Sequence, residues 1–409
     1  MMIRAALLLG AGIALAAHPV ASWAQGPDES RFSIRGFGTL GGAYHRGGDA
    51  GFRRDITQPK GARNRFMSDL DSRFGLQLNV AWHEQLDATA QVMTRYGYDG
   101  AYRPELTWGF VRYRPQPDLE VRAGRLGWDV YLLSDSREVG YSYLWARPPV
   151  EYYGHLQLSK LTGVDAVWRR AAGDGVWTHK VFAGEVTSRI PLDSDSYSNL
   201  SGSWLYGGYV DYQRAGWLFR AGLTRLELKT ELRGDARRQL DSLRSRYGSE
   251  LDALVRLTEL DVTFHIATMG AAYDRGPVQA QLMYFYTNSN DTAHSDMHAG
   301  YFSLGYRLGR WTPYFVLSAV EAEDNTAMQF SATAQLPDFT DVFGDMAQLN
   351  QHTVSVGARY EWSSNVALTL QADRVTVRNA PESALLWSQP EPGWNGRATV
   401  LSATVDFVF

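Results

Sequence analysis

Charged side chains of opposite sign lie in two separate parts of the chain. The stretch 127–160 carries several acids, whereas the part before it is rich in arginine. A guanidinium keeps its charge at any pH at which proteins fold, and it presents five donors in a fixed geometry. If the two parts face each other across a narrow gap, their field orders water and acts on charged or dipolar solutes. The candidate site residues are Asp129, Asp135 and Glu138 on one side, and Arg35, Arg73, Arg95, Arg112 and Arg125 on the other.

Other kinds of chemistry find little support. The chain has no cysteine, which excludes disulfides and thiolate metal ligands. His294 and His298 could ligate a metal, but two histidines in a polar loop are more often solvated, so we predict no metal site. The glycines of 36–48 are not followed by the Lys-Ser/Thr of a phosphate-binding loop, and we predict no cofactor. A hydrolase would need a histidine beside a Ser or Asp partner in a recognisable motif. No such partner accompanies four further histidines: His155, His179, His265 and His352.

The first 24 residues read as a secretory signal. Arg4 precedes the 13-residue apolar run 5–17, and Ser22 and Ala24 supply the small residues of a cleavage site. We therefore predict a signal peptide over 1–24 and one mature domain over 25–409. No later stretch offers 18 consecutive apolar residues, so no transmembrane helix is expected. A net charge of −4 gives no reason to expect nucleic acid as a partner.

The rest of the chain alternates with period two. In 74–82, apolar Phe74, Leu76, Leu78 and Val80 alternate with small or polar residues, which places the two kinds on opposite faces of a strand. The same alternation recurs up to the last residues. Sixteen such segments begin near Phe32, Ser72, Leu86, Glu105, Asp118, Leu161, Val176, Ser203, Trp217, Leu260, Val278, His298, Trp311, His352, Asn365 and Ala398.

The connections between these segments alternate between short and long. Seven short and eight long connections are typical of a transmembrane barrel with short periplasmic turns and long outer loops. Only a closed sheet satisfies every strand edge in lipid. The fold class predicted is therefore all-β, a closed antiparallel transmembrane β-barrel of about 16 strands with a polar lumen. Counts of 14 or 18 stay open, and in 105–113 the inward face is undecided because Trp108 and Phe110 share the parity of Arg112.

Aromatic side chains lie beside the short turns, as expected at a boundary between lipid and water. They are Trp82, Tyr113, Tyr212, Trp217, Tyr273, Tyr306, Trp311 and Tyr360.

In architecture the chain resembles the 16-stranded trimeric outer-membrane porins of bacteria. The sequence likeness is sharpest at 354–360, 365–371 and the final Phe409, and Val121-Arg-Ala-Gly-Arg125 looks like the approach to a porin constriction loop. The aromatic stretch 141–154 departs from the general-porin pattern. The resemblance implies that the third long loop, 127–160, folds into the lumen and narrows the pore. It also implies that Phe409 is an assembly signal.

From this resemblance we expect a homotrimer in the bacterial outer membrane. The expected partners are outer-membrane lipid, lipopolysaccharide, the barrel-assembly machinery through the C-terminal strand, and small hydrophilic solutes. The predicted function is passive diffusion of small solutes and ions through a water-filled channel. A substrate-specific porin for anions or carboxylates is the alternative, and an outer-membrane barrel enzyme is a less favoured one. Loop 229–259 is predicted to be partly helical, since its apolar residues recur every three or four positions.

Overall fold

The computed structural model describes residues 31–155, 158–191, 195–247, 261–289, 296–323, 349–381 and 384–409. The predicted signal peptide and the helical positions beyond Tyr247 in loop 229–259 lie outside these ranges. Sixteen long strands dominate the fold. They are β1 Phe32–His45, β2 Arg73–His83, β3 Leu86–Tyr96, β4 Tyr102–Gln116, β5 Leu119–Gly127, β6 Lys160–Ala172, β7 Gly175–Val186, β8 Ser203–Arg214, β9 Trp217–Lys229, β10 Asp261–Arg275, β11 Val278–Ser289, β12 Met297–Tyr306, β13 Trp311–Ala322, β14 Asn350–Ser363, β15 Val366–Val377 and β16 Arg397–Val408.

Every long strand pairs in antiparallel fashion with its two neighbours, and the ring closes where β1 pairs with both β2 and β16. The predicted closed barrel is therefore confirmed. Each strand begins within three residues of its predicted start, because the alternation of apolar and polar residues marks a strand that has lipid on one face and water on the other. A short strand, Phe66–Met67, pairs with the upper part of β1.

The two faces of the wall differ in chemistry as the alternation predicts. In β15, Leu370 is 63% exposed on the outer face, whereas Thr369, Gln371 and Asp373 are buried on the inner face. Large outer side chains remain exposed around the barrel, including Trp82, which lies beside a short turn. An apolar outer wall with no unpaired edge is a surface suited to a hydrocarbon environment.

The undecided segment 105–113 lies in β4 and turns Trp108, Phe110 and Arg112 inward. Their partners across the ladder are Gln91, Thr89 and Asp87, all of which are buried on the lumen side. Val111 and Tyr113 are exposed on the outer face. The parity was ambiguous because two aromatic side chains project into a lumen that otherwise carries polar residues.

At the seam of the barrel, glycines make room for aromatic rings. Gly36 and Phe409 exchange both main-chain hydrogen bonds, at 2.8 and 3.0 Å. A β-carbon at Gly36 would overlap the Phe409 ring, and one at Gly38 would overlap the Phe407 ring. The last two phenylalanines therefore lie flat over β1 on the outer wall, where Phe409 also stacks on Phe74 at 6.2 Å.

Several short elements lie in the long connections. Helix α1 spans Val150–Tyr153 and helix α2 spans Asp235–Tyr247, within the loop for which helix was predicted. No helix in the described ranges is long and apolar enough to cross a membrane. The remaining elements are the 3₁₀ turns Ser68–Leu70 and Gly140–Ser142, and the short strands Gly51–Phe52, Arg189–Pro191, Ser196–Asn199, Glu231–Gly234 and Trp387–Ser388.

Candidate functional site in the barrel lumen

The connection between β5 and β6, residues 128–159 and here termed loop 3, lies inside the barrel. Near its start, Asp129 contacts Lys180 of β7, and near its middle the Arg73 guanidinium of β2 donates to the Glu138 main-chain oxygen at 2.6 Å. Further along, Trp145 Nε1 donates to Ser303 of β12 at 2.8 Å. The loop therefore crosses the lumen and contacts walls on opposite sides of the barrel.

The start of loop 3 is held by polar and charged side chains of three strands, β6, β7 and β8. Lys180 Nζ lies 3.0 Å from Asp165 and also contacts Asp129. Tyr209 donates to the second carboxylate oxygen of Asp129 at 3.1 Å. Burial alone would raise the pKa of Asp129, but the positive charges of Lys180 and nearby arginines lower it. Asp129 therefore stays ionised as the anchor of the loop.

Glu138, in the middle of loop 3, is surrounded by guanidiniums. Its carboxylate lies 2.6 Å from Arg54, 3.5 Å from Arg95 and 3.8 Å from Arg73. Arg137, the preceding residue, contributes a fourth at 3.7 Å. Burial alone would raise the pKa of Glu138, yet these four charges hold it well below its usual range. The carboxylate is therefore ionised over the whole working range of pH.

Beyond Glu138 the loop packs against one half of the inner wall. Glu151 is 1% exposed and accepts from Ser318 and Gln351, each at 2.6 Å, and from Thr353. Arg147, equally buried, pairs with Asp71 at 2.7 Å. These contacts reach β13, β14 and the end of the connection 46–72, termed loop 1.

Aromatic rings fill the space between loop 3 and β11–β12. Tyr152 of α1 packs edge-on against Phe285 and Tyr301 at ring-centroid distances of 5.3 and 5.2 Å. Tyr131 approaches the same group. A packed aromatic interior of this kind resembles the core of a soluble protein more than the lining of a channel.

Charged side chains on β3–β5, across the lumen from this aromatic cluster, are partly exposed. The side chains of Arg95 and Arg112 are each 20% exposed and that of Arg125 is 25% exposed. Asp135 and Arg137 of loop 3 are partly exposed as well. These partly exposed charges lie around the space between residues 134–139 and the wall formed by β2–β5, which we term the accessible space.

Asp135 differs from the other acids of the loop. It has no ion-pair partner among the described residues, and its Oδ1 and Trp108 Nε1 both lie close to the position that a Gly127 β-carbon would take. Burial, with the neighbouring Asp129 charge, raises the pKa of Asp135 to about 7. Its charge therefore changes within the physiological range.

The structure brings part of the predicted site together. Glu138 contacts Arg73 and Arg95 directly, without a water-filled gap between them. The Arg73 side chain is fully buried and binds main-chain oxygens. Arg112 pairs with Asp87 at 2.9 Å, nearer the short-turn end, and Arg35 is exposed near the same end of β1.

Arg125 and Asp129 lie apart from that cluster. Arg125 follows Gly124, whose φ of 133° is where the alternation breaks, and it lies 3.9 Å from Glu105. Asp129 belongs to the Lys180 anchor on another wall. The transverse field expected from the sequence needs a gap, and of the three predicted acids only Asp135 lacks a direct cationic contact in the described part of the chain.

Sequence reasoning missed several residues of the site. The inner wall carries a row of paired charges from β3 to β9, and inward parity on each strand was the signal that could have revealed it. Loop 1 residues Arg54 and Asp55 also join the cluster around Glu138, but they follow no periodic pattern. The paired charges of the wall, of which inward parity on the strands had already suggested Arg112 and Arg122, are Asp87–Arg112, Arg122–Asp165, Asp165–Lys180 and Asp211–Arg220.

The described residues contain no group of three or more His, Asp or Glu side chains placed to hold a metal ion. His294 lies outside the described ranges. His298 lies against the Tyr284 and Tyr286 rings and 3.7 Å from Glu323. The site consists of guanidiniums, carboxylates and hydroxyls that can bind and orient solutes by charge and hydrogen bonding.

No protein-family model and no curated protein sequence matches the chain. Solved structures do match it in fold. OmpT of Vibrio cholerae superposes with a TM-score of 0.54 at 13% identity, covering 93% of this chain and 99% of that one. OmpF of Salmonella typhi, in complex with daunomycin, gives 0.55 at 12%, covering 92% and 97%.

An anion-selective porin from Comamonas acidovorans gives a TM-score of 0.53 at 13% identity, covering 93% of this chain and all of that one. At such identities the likeness establishes the fold. The resemblance to the 16-stranded porins is thereby confirmed at the level of architecture: this chain has the barrel of the outer-membrane porins.

Proposed function

We propose that this barrel is a porin-like channel of a bacterial outer membrane, through which small hydrophilic solutes and ions diffuse passively. The observation that carries the proposal is the course of loop 3, which packs against one half of the inner wall, while charged side chains along the other half are partly exposed. The apolar outer wall fits a membrane setting, and the neighbours in fold are outer-membrane proteins and porins.

We further propose that the channel prefers anions, as in the substrate-specific alternative. The cations around the accessible space outnumber the acids there, and arginine cannot lose its charge. Such an excess attracts anions and repels cations in a narrow, poorly screened passage. The cations are Arg54, Arg95, Arg125, Arg137 and Lys160, and the acids are Asp55, Glu105, Asp135 and Glu138.

We propose that Arg95, Arg125, Asp135 and Glu138 border the accessible space and form the constriction of the channel. Arg73 and Asp129 act from behind it by holding loop 3. Arg35 and Arg112 line the exit towards the short turns.

We propose a homotrimer that packs through the wall next to the seam. Ile34 and Leu40 of β1 are among the most exposed apolar side chains of the barrel, and Phe74 and Phe409 continue the same surface. One neighbour in fold, OmpT of Vibrio cholerae, has been described in a trimer form.

Lipid and assembly partners fit the outer wall. Four exposed arginines lie at the long-loop end of β15, β16 and β1, and none has a carboxylate partner in the described ranges: Arg46, Arg374, Arg378 and Arg397. We propose that they meet the phosphate groups of outer-leaflet lipopolysaccharide. Phe409, at the exposed end of the last strand, is proposed as the signal for the barrel-assembly machinery.

The experiment that tests the proposed function is a liposome-swelling assay with purified, refolded barrel. Uncharged and anionic solutes of a few hundred daltons should enter, and vesicles with heat-denatured protein should show no uptake. A phospholipase and protease assay on the same sample addresses the enzyme alternative, for which we expect no activity. Absence of swelling together with lipid hydrolysis would overturn the channel proposal.

A further inference from the structure

Three buried arginines donate to the main chain of loop 3 from three different walls. The first is Arg220 of β9, which donates to the main-chain oxygens of Asp129 and Tyr131 at 2.7 and 2.8 Å. The same guanidinium is held by two hydrogen bonds to Asp211, both of 2.7 Å, and lies 3.9 Å from the centre of the Tyr209 ring. Asp211 and Tyr209 both belong to the wall, so they fix the position of the Arg220 guanidinium independently of loop 3.

The second arginine, Arg73 of β2, binds the middle of the loop. Its Nε donates to the Glu138 main-chain oxygen at 2.6 Å, and its Nη2 donates to the Tyr143 hydroxyl at 2.6 Å. Its Nη1 donates to the Asp71 main-chain oxygen at 2.8 Å. All three nitrogens are thus used, and the side chain is fully buried.

The third arginine, Arg359 of β14, binds the turn that follows. It donates to the main-chain oxygens of Tyr143 at 2.7 Å, Tyr141 at 3.1 Å and Gly140 at 3.4 Å. Its Nε is held by Glu361 at 2.6 Å, and the guanidinium lies 4.8 Å from the centre of the Tyr141 ring.

We infer that Arg220, Arg73 and Arg359 are positioning residues that fix the course of loop 3 by binding its main-chain carbonyl groups, so that the loop is a static wall of the channel. Together they bind the carbonyls of residues 129, 131, 138, 140, 141 and 143. Because the guanidiniums hold the backbone, the acid side chains of the loop stay at set places along the accessible space.

Close packing at two glycines supports a static loop. A β-carbon at Gly140 would overlap the Asp406 carboxylate of β16, and one at Gly222 of β9 would press on Val130. The main chain of the loop and the wall are therefore in direct contact at both ends of the clamped segment. A loop that swung aside to open the channel would take from three largely buried guanidiniums the carbonyl groups to which they donate, which is costly.

Arginine is the residue that this task requires. A planar guanidinium donates in several fixed directions at once, whereas a lysine ammonium is a single point of charge on a flexible stem. A lysine at 359 keeps the charge of the lumen and loses the simultaneous contact with three carbonyls. Arg359→Lys therefore distinguishes the effect of holding the loop in position from the effect of the positive charge in the lumen.

The test compares Arg359→Lys and Arg359→Met with Arg307→Met as the matched control. Arg307 pairs with Asp274 and donates to the Gly276 main-chain oxygen, the same chemistry at a short turn and without contact to loop 3. Hydrogen exchange of the amides of residues 138–143 is measured in the folded barrel in detergent. We expect both Arg359 variants to exchange at least about tenfold faster than the original chain, and the control to stay within about twofold.

Arg220→Lys serves as a second, independent variant if an Arg359 variant fails to fold, and acceleration is then expected at residues 129–133. Unchanged exchange in the loop, or full protection in the lysine variants, would overturn the inference. The role in permeation rests on the proposed channel function and predicts larger current fluctuations in the Arg359 variants. Fast exchange in a barrel that never conducts would contradict the channel function and leave the clamp intact.

Discussion

At the scale of single residues, Asp135 is the acid of the lumen that titrates near neutral pH. Burial and the adjacent Asp129 raise its pKa to about 7, so its neutral form is favoured in the folded barrel. Ionisation therefore opposes folding, and this loss of stability develops as the pH rises from the usual aspartate range through 7. The same ionisation adds one negative charge to the accessible lumen.

The first prediction is a pH-dependent selectivity. Between pH 5 and pH 9 the anion-to-cation permeability ratio should fall, by on the order of twofold, as Asp135 ionises. Asp135→Asn should weaken this dependence and also stabilise the barrel at pH 8. The control is Asp174→Asn, which changes an exposed carboxylate in a short turn. A pH profile that Asp135→Asn leaves unaltered would contradict the assignment.

The second prediction concerns the carboxylate shared by four guanidiniums. Glu138→Gln leaves Arg54, Arg73, Arg95 and Arg137 with one negative partner fewer, so the channel should become more anion-selective. Removing one member of a buried ionic cluster should lower the free energy of unfolding by about 2–4 kcal/mol. Salt-gradient potentials and thermal unfolding in detergent measure both effects.

Its control is Glu391→Gln, which removes the exposed partner of Arg63 and should cost less than about 1 kcal/mol. Equal effects of the two substitutions would refute a special role for Glu138.

At the same scale, the sequence indicates which charged residues face the lumen, but it does not indicate which residues they contact. Parity placed Arg73 and Arg95 on the inner face and left Arg112 undecided, and the structure has all three on the inner face. Parity does not say that Arg73 would be buried against a carbonyl while Arg95 stays accessible. That difference depends on where loop 3 runs, and its course depends on contacts between residues far apart in the chain, such as Arg147 and Ser402, which are 255 positions apart.

At the scale of elements, the seam between β1 and β16 explains why glycine is needed on β1. The third prediction is that Gly36→Val reduces the yield of assembled barrel, since its side chain would occupy the place of the Phe409 ring. Deletion of Phe409 should have the same effect. In both variants the conductance of the surviving channels should be unchanged, because the seam is on the outer wall. Yield is measured as the heat-modifiable band in electrophoresis.

Leu40→Val is the control for the seam, since Leu40 lies on the same face of the same strand and is exposed. Normal assembly of Gly36→Val would contradict the packing argument. Normal assembly after deletion of Phe409 would contradict its role as a signal.

Strands were predictable to within three residues, whereas the interior elements were not. A membrane strand carries its environment in its own alternation, and a turn such as Ala215–Gly216, with both φ angles positive, is encoded locally. Helix α1 and the turn Gly140–Ser142 are stabilised by hydrogen bonds with side chains of the barrel wall. These elements are only four and three residues long, so their own sequence does not specify them.

At the scale of the whole molecule, the outer wall beside the seam is the surface that we propose to pack against neighbouring subunits. The fourth prediction is that the barrel is a homotrimer by mass in mild detergent and that Ile34→Arg dissociates it. The control is Leu223→Arg, an equally exposed apolar position on β9, away from the seam. Both substitutions place a charge on the outer wall, so only a specific interface makes them differ. A monomeric mass for the original chain would rule the trimer out.

The central claim is that solutes pass between residues 134–139 of loop 3 and the arginine-bearing wall of β2–β5. The measurement that tests it most directly is the reversal potential in a potassium chloride gradient, for the original chain, for Arg95→Ser/Arg125→Ser/Arg137→Ser and for the exposed control Arg214→Ser. We expect an anion-selective original channel, a clear shift towards cations in the triple variant and no shift in the control. A reversal potential that the triple variant leaves unchanged would contradict this account of the channel.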